Sequence, residues 1–198
     1  MKGSLIIVGF FVLGTICGVC HLLPFDIAET NISYYALCAL MFSVGLSVGN
    51  DPQTLKNFRS LNPRLVFLPI MTILGTLAGS AAVSLILTHR SITDCLAVGS
   101  GFGYYSLSSI FITEYKGAEL GTIALLANIS REILTLLAAP LLVRWFGNLA
   151  PISAGGATTM DTTLPIITRT AGQQFVVVSI FHGFVVDFSV PFLVTLFC

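Results

Sequence analysis

Asp161 stands in the stretch GGATTMDTTLP (residues 155–165), one carboxylate among glycines and threonines in a chain otherwise apolar enough for lipid. An ionisable group at membrane depth is costly and persists where it faces water, an opposite charge or a substrate. The chemistry open to it there is to bind a cation or to carry a proton. A second polar set, Asn128, Arg131 and Glu132, lies in the middle of the apolar stretch 117–143. Asn128, Glu132 and Thr135 fall at i, i+4 and i+7 and share one helical face, with Arg131 beside it. One reading is an internal salt bridge or glue between helices, although adjacent residues diverge around a helix and each needs its own partner. The functional reading ties Arg131 into the scaffold and sends Glu132 to a cavity. In the last apolar stretch His182 and Asp187 are five apart and point to different sides, while Ser179, His182 and Ser189 follow one face. His182 either bonds a neighbouring carbonyl or serves as a proton relay. Asp187 either pairs with Arg131 or sits near the outer interface. Against Arg131, the acids Glu132, Asp161 and Asp187 leave a negative surplus, which attracts a cation or holds protons on crowded carboxylates. The activity class is cation handling or proton-coupled transport.

The elements that must position these groups are membrane helices. With 55% hydrophobic residues, 9% charged residues and a mean hydropathy of +0.94, the chain has too little polar surface to cover a soluble globule. Apolar runs of about 18 residues or more read as spans, since roughly 20 residues at 1.5 Å each cross the hydrocarbon core. Such runs occupy residues 4–23, 33–49, 65–87, 117–143 and 174–197, and two weaker runs, 95–113 and 150–168, are interrupted by Gly, Thr and Pro. The fold expected is an all-α polytopic membrane bundle of five complete spans plus two broken or re-entrant helical segments. Seven complete spans is the alternative. Interrupted apolar segments in the two halves of a carrier point to a binding site made of broken helices, which favours the first. Nothing reads as a separate soluble module, so residues 1–198 are expected to form a single integral membrane transporter domain.

Zero net charge advertises no broad attraction for nucleic acid. Lys2 precedes the first run, Asp26 and Glu29 follow it, and Lys56, Arg59 and Arg64 follow the second. The positive-inside rule then puts the N-terminus in the cytoplasm and the C-terminus outside. With five spans Arg144 is cytoplasmic and Lys116 external; with seven they exchange sides. No small-x-small cleavage site marks the N-terminal run as a signal peptide. Cys17, Cys20, Cys38, Cys95 and Cys198 are scattered through apolar runs as small hydrophobes, without a metal or disulfide pattern, and no cofactor is implied.

Glycine pairs four apart, Gly14/Gly18, Gly45/Gly49 and Gly75/Gly79, read as seams where membrane helices approach closely. The segment GSGFGYYSLSS (residues 99–109) is different. Its glycines break a helix and its hydroxyls, Ser106 and Ser108 among them, can replace freed backbone partners; in lipid such backbone must be buried in protein or line water. The glycine pattern does not fit a dinucleotide loop.

The series GFGYYSLSS (101–109), Arg131-Glu132, GGATTMDTTLP (155–165) and His182-Gly183-Phe184, with Pro191 beyond, resembles the LysO (YbjE) family of bacterial lysine exporters. FSVGLSVGND (42–51) is a weaker likeness to that family's first glycine-containing helix end. The resemblance covers nearly all of the chain and implies an exporter of L-lysine in the bacterial inner membrane, with Glu132 and Asp161 at the positions of the family's intramembrane acids. Members usually carry an additional N-terminal membrane segment not found here, which raises a split transporter completed by a small separate membrane subunit. Asp187 does not look like a regular family feature. On this reading lysine ammonium groups meet Asp161 and Glu132. Carbonyls near Gly155 and Gly156, the hydroxyls of Thr158, Thr159, Ser106 and Ser108, and Asn128 replace its hydration. His182, Arg131 and Asp187 serve as proton relay or structural charge. Membrane lipid and a homo-oligomer complete the partners. The alternative is an oligomeric pore or an antiholin-like regulator of one. A membrane hydrolase built on Asp161 and His182 lacks a nucleophile-base spacing.

Overall fold

The computed structural model describes residues 63–87 and 89–198, together with Leu13, Ile16, Cys17, Tyr35 and Phe42. The chain divides into two compact units, Met1–Ser47 and Val48–Cys198. The architecture described here is that of the second. The expected spans 4–23 and 33–49, with the glycine pairs they carry, fall outside the continuously described residues.

The described residues are helical and contain no strand. After a 3-10 turn (Pro63–Val66), the apolar run at 65–87 forms α1 (Phe67–Ser84). The first interrupted segment is two helices, α2 (Ile92–Gly99) and α3 (Tyr105–Lys116), and the long polar-striped run is α4 (Ala118–Phe146). The second interrupted segment is again two helices, α5 (Ala150–Gly155) and α6 (Leu164–Ala171), joined by the 3-10 turn Gly156–Met160. The turn Gln173–Phe175 leads into α7 (Val176–Phe197). α1, α4 and α7, the last with its leading turn, are the described helices long and apolar enough to cross a membrane. The protein is an all-α membrane helical bundle.

Local sequence explains where the pieces start and stop. Ser91 caps α2 through a reciprocal capping box with Asp94: Ser91 Oγ accepts from Asp94 N, and the Asp94 carboxylate accepts from Ser91 N. Pro151 and Pro165 open α5 and α6, where a missing N–H costs nothing.

Each interrupted segment folds back as a hairpin whose two ends lie together. Lys116 Nζ, at the end of α3, reaches Asp94 Oδ1 at the start of α2 at 2.8 Å, and Arg90 pairs with Glu119 across the same mouth. At the other hairpin, Leu149 and Ile152 share one apolar cluster with Ile167, Ala171, Phe175 and Val178. The 29 residues of α4 separate the two mouths by about 43 Å at 1.5 Å per residue. The remaining spans run between the same two levels. Leu65 and Leu68, at the start of α1, pack in the α5/α6 cluster, and Cys198, at the end of α7, lies within electrostatic reach of Asp94 and Lys116. The hairpins therefore point toward each other from opposite ends of the bundle.

The seam expected at Gly75/Gly79 is not packed by a described element: a Cβ added at either glycine meets no atom within 4 Å.

The hairpin geometry predicts that cysteines placed at His89 and Glu119, in an otherwise cysteine-free chain, react with a membrane-impermeant maleimide from the same side. Labelling from opposite sides would restore seven complete spans.

Candidate functional site

The hairpin tips meet at mid-depth. Ala157 N, in the α5/α6 turn, donates to Phe102 O in the α2/α3 turn at 2.9 Å. Phe102 is wholly buried and adopts a left-handed φ of 46°, which turns its carbonyl toward the other hairpin. Gly156 takes the same hand, with φ 63°, and a Cβ there would fall against Phe102 O. Only glycine fits a backbone that approaches so closely in that conformation.

Breaking a helix in a low dielectric frees backbone donors and acceptors that must be paired nearby. Side chains from the tips and from α4 do this. Asn128 Oδ1 accepts from Gly103 N at 2.8 Å, while its amide nitrogen donates to Val98 O and Ala124 O. Thr158 and Thr159 donate to Gly155 O and Gly156 O at 2.9 and 2.8 Å, and Ser108 donates to Tyr104 O at 2.9 Å. Thr163, fully buried, shares a hydroxyl contact with Thr158 at 3.2 Å.

Arg131 reaches the tips from the middle of α4. Its Nε donates to Ala154 O at 2.8 Å and Nη2 to Ser153 O at 3.0 Å, closing the C-terminal end of α5, where carbonyls lack helical partners. Nη1 reaches Thr76 on α1 at 3.4 Å, and the guanidinium lies 5.8 Å from the centre of the Phe102 ring. Among the described residues no carboxylate pairs with it.

α7 is pinned to the second tip by His182. The ring is fully buried, with Nδ1 3.2 Å from Thr159 Oγ1 and Nε2 2.9 Å from Thr72 Oγ1. Thr159 spends its single hydroxyl hydrogen on a carbonyl, Gly156 O or Ser179 O, so it accepts from His182 Nδ1–H. That tautomer leaves Nε2 to accept from Thr72. Next to it Gly183 lets α7 touch the turn, since a Cβ there would lie 2.6 Å from Met160 N.

The acids lie on the periphery of this junction. Asp161 ends the 3-10 turn and is exposed, with Oδ1 accepting from Thr162 N at 2.5 Å. Asp187 is 5% exposed, and Tyr104, Asp161 and Asp187 lie within electrostatic reach of one another. Glu132 is half-buried on α4 and makes no ion pair among the described residues; Ser106 is exposed at the start of α3. Gly155, Gly156, Thr158, Thr159 and Ser108, expected around a substrate, are buried at the tips, with Asn128 buried beside them on α4, and all are bonded within this junction. Sequence reasoning did not single out Phe102, Thr72, Thr76 or Thr163. Phe102 carried a signal in its two flanking glycines, but the threonines on α1 carried none.

Two cavities meet at Arg131. One, of about 840 Å³, runs between α1, α2 and α4 from Arg90 and Asp94 at the α2/α3 mouth to Asn128 and Arg131. The other, of about 440 Å³, runs from Ala127 and Arg131 along α4 to Leu142.

The family model for the lysine exporter LysO matches residues 8–198. The chain belongs to that family. Over 194 residues it is 36% identical to the lysine exporter LysO of Escherichia coli strain K12, an alignment covering 98% of this chain and 64% of that relative. It is 34% identical to a Haemophilus influenzae protein named provisionally as a lysine exporter, covering 98% of this chain and 95% of that one. The chain thus spans under two thirds of the Escherichia coli relative's length. No solved structure matches. Both hairpins, the Arg131-Glu132 pair and His182 lie within the stretch that matches the family.

Alanine at Gly156 must accept a left-handed backbone and a clash with Phe102 O, whereas alanine at Gly147 (φ 85°) meets no neighbour. Gly147→Ala is expected to cost about 1 kcal/mol and Gly156→Ala about 3 kcal/mol or more. Thermal unfolding in detergent measures the difference; equal losses would show that the tips do not depend on that approach.

Proposed function

We propose that the chain is a secondary transporter that exports L-lysine from the cytoplasm of a bacterium across its inner membrane, through a site at the meeting point of the two hairpins. The observation that carries this reading is a pair of oppositely directed broken segments meeting at mid-depth in a member of a family named for lysine export. Half-helices converging on the bilayer centre are the arrangement by which carriers expose backbone and side-chain groups to a hydrophilic substrate. Residues 1–198 act as a single transporter domain.

Asp161 and Glu132 receive the ammonium groups of lysine, helped by the exposed hydroxyl of Ser106. Asn128, Thr158, Thr159, Ser108, Gly155 and Gly156 hold the tips in shape around them. Charge supports the direction. Arg64 precedes α1, and Arg144 and Arg169 lie at the α5/α6 end of the bundle, outnumbering Arg90 and Lys116 at the other end. The positive-inside rule then makes the α5/α6 mouth cytoplasmic and puts the C-terminus outside. Protonation of a carboxylate on the outer side weakens its hold on an ammonium group and releases lysine, so that export runs against inward proton flow. A transporter of this kind needs no catalytic residue, and its export saturates, unlike flux through a pore.

In lysine-loaded cells, Asp161→Asn and Glu132→Gln are each expected to slow efflux by about tenfold or more at equal expression. Efflux matching the parent would remove the substrate role from that residue. In proteoliposomes, a lysine gradient is expected to drive a measurable pH change; lysine flux without proton movement would sink the coupling.

A further inference from the structure

Arg131 is the described cation at mid-depth, and its bonding is incomplete in a specific way. A guanidinium carries five N–H donors. Three are committed, to Ala154 O, Ser153 O and Thr76 Oγ1, and one N–H on each terminal nitrogen is left over. Carbonyls and a hydroxyl satisfy donors without cancelling the charge; the C-terminal end of a six-residue helix contributes only a partial negative charge. No carboxylate of the described residues pairs with it. A guanidinium fixed on two carbonyls, with two donors to spare, is pre-organised for a planar two-oxygen anion.

Its position gives that capacity a use. Arg131 and Ala127 line both cavities, one reaching toward the α2/α3 mouth and the other along α4 toward the α5/α6 end. The same guanidinium therefore borders both spaces. The larger cavity has room for an amino acid and is otherwise mostly apolar, so the spare N–H groups are among the few polar features at its inner end.

We infer that Arg131 is the specificity-determining residue that reads the α-carboxylate of the transported amino acid, the donors left on its guanidinium bonding the two carboxylate oxygens. The inference rests on the export reading and deepens it. Glu132 and Asp161 account for recognition of a cation, which alone would admit any diamine of suitable length. Arg131 restricts the cargo to molecules that carry an anionic carboxylate as well. It also gives the buried charge its missing counter-charge while substrate is bound, which lowers the cost of holding it at mid-depth.

The test is binding to the purified full chain in detergent, with radiolabelled lysine displaced by unlabelled lysine, lysine methyl ester or 1,5-diaminopentane. The diamine keeps the ammonium groups and lacks the carboxylate; the ester keeps the carbonyl and lacks the charge. Both are expected to compete about 10- to 100-fold more weakly than lysine. In Arg131→Gln, lysine is expected to weaken by a similar factor while the diamine changes little, so that the preference collapses, and Arg131→Lys should restore part of it. A purely structural role would weaken all three ligands together. If the parent protein binds the diamine as tightly as lysine, the inference falls while the export reading stands, and this comparison holds even where a variant does not fold. If the parent binds lysine at no concentration, the export reading falls and takes the inference with it.

Discussion

The bond from Ala157 N to Phe102 O joins two backbones that have both left α-helical geometry, midway between the two hairpin mouths. A backbone donor or acceptor left unpaired there costs several kcal/mol, so a chain that breaks two helices must close each gap by other means. Bringing the gaps together lets each serve the other. Much of the rest follows from that meeting: Gly156 for room, Phe102 in a left-handed conformation to aim its carbonyl, and Asn128, Thr158 and Thr159 to take up the groups that the contact leaves over. Arg131 and His182 then fix the junction to the spans, one through the end of α5 and the other through Thr72 and Thr159.

The breaks themselves were legible in the sequence. Glycine density at 99–103 and the Gly-Gly and Pro signals at 155–165 marked two apolar runs as interrupted, with seven complete spans the alternative, and both are interrupted there. Whether the first run crosses or returns was not readable, because that depends on Lys116 finding Asp94, 22 positions away, a contact no local pattern announces. The same holds for Asn128. Its place on a polar stripe was clear from helical spacing, but its partner, Gly103 N, lies on another element. Arg131, read from sequence as tied into the scaffold, bonds to Ser153 O and Ala154 O, so its partners are carbonyls and not an acid. The pairing of Arg131 with Asp187 considered from sequence is not found among the described residues. At Gly75/Gly79 the small residues face no described neighbour. Spacing shows that a surface is smooth, not that it is covered.

Charge is sorted around the junction. Arg131 lines the cavity beside α1 and the one along α4, while Asp161 and Asp187 gather with Tyr104, next to the start of α3. Arg131 and Glu132, neighbours in the chain, leave α4 about 100° apart and so serve different surroundings. A single helix thereby presents opposite charges to two different surroundings without letting them neutralise each other.

The two hairpin mouths are closed by unlike forces. Arg90, Glu119, Lys116 and Asp94 hold one by ionic contacts at a partly hydrated surface, and Ile152, Ile167, Ala171 and Val178 hold the other by burial alone. Ionic contacts of that kind fade as electrolyte rises, while close apolar packing is indifferent to it. The opposite ends of the bundle thus differ in their answer to salinity.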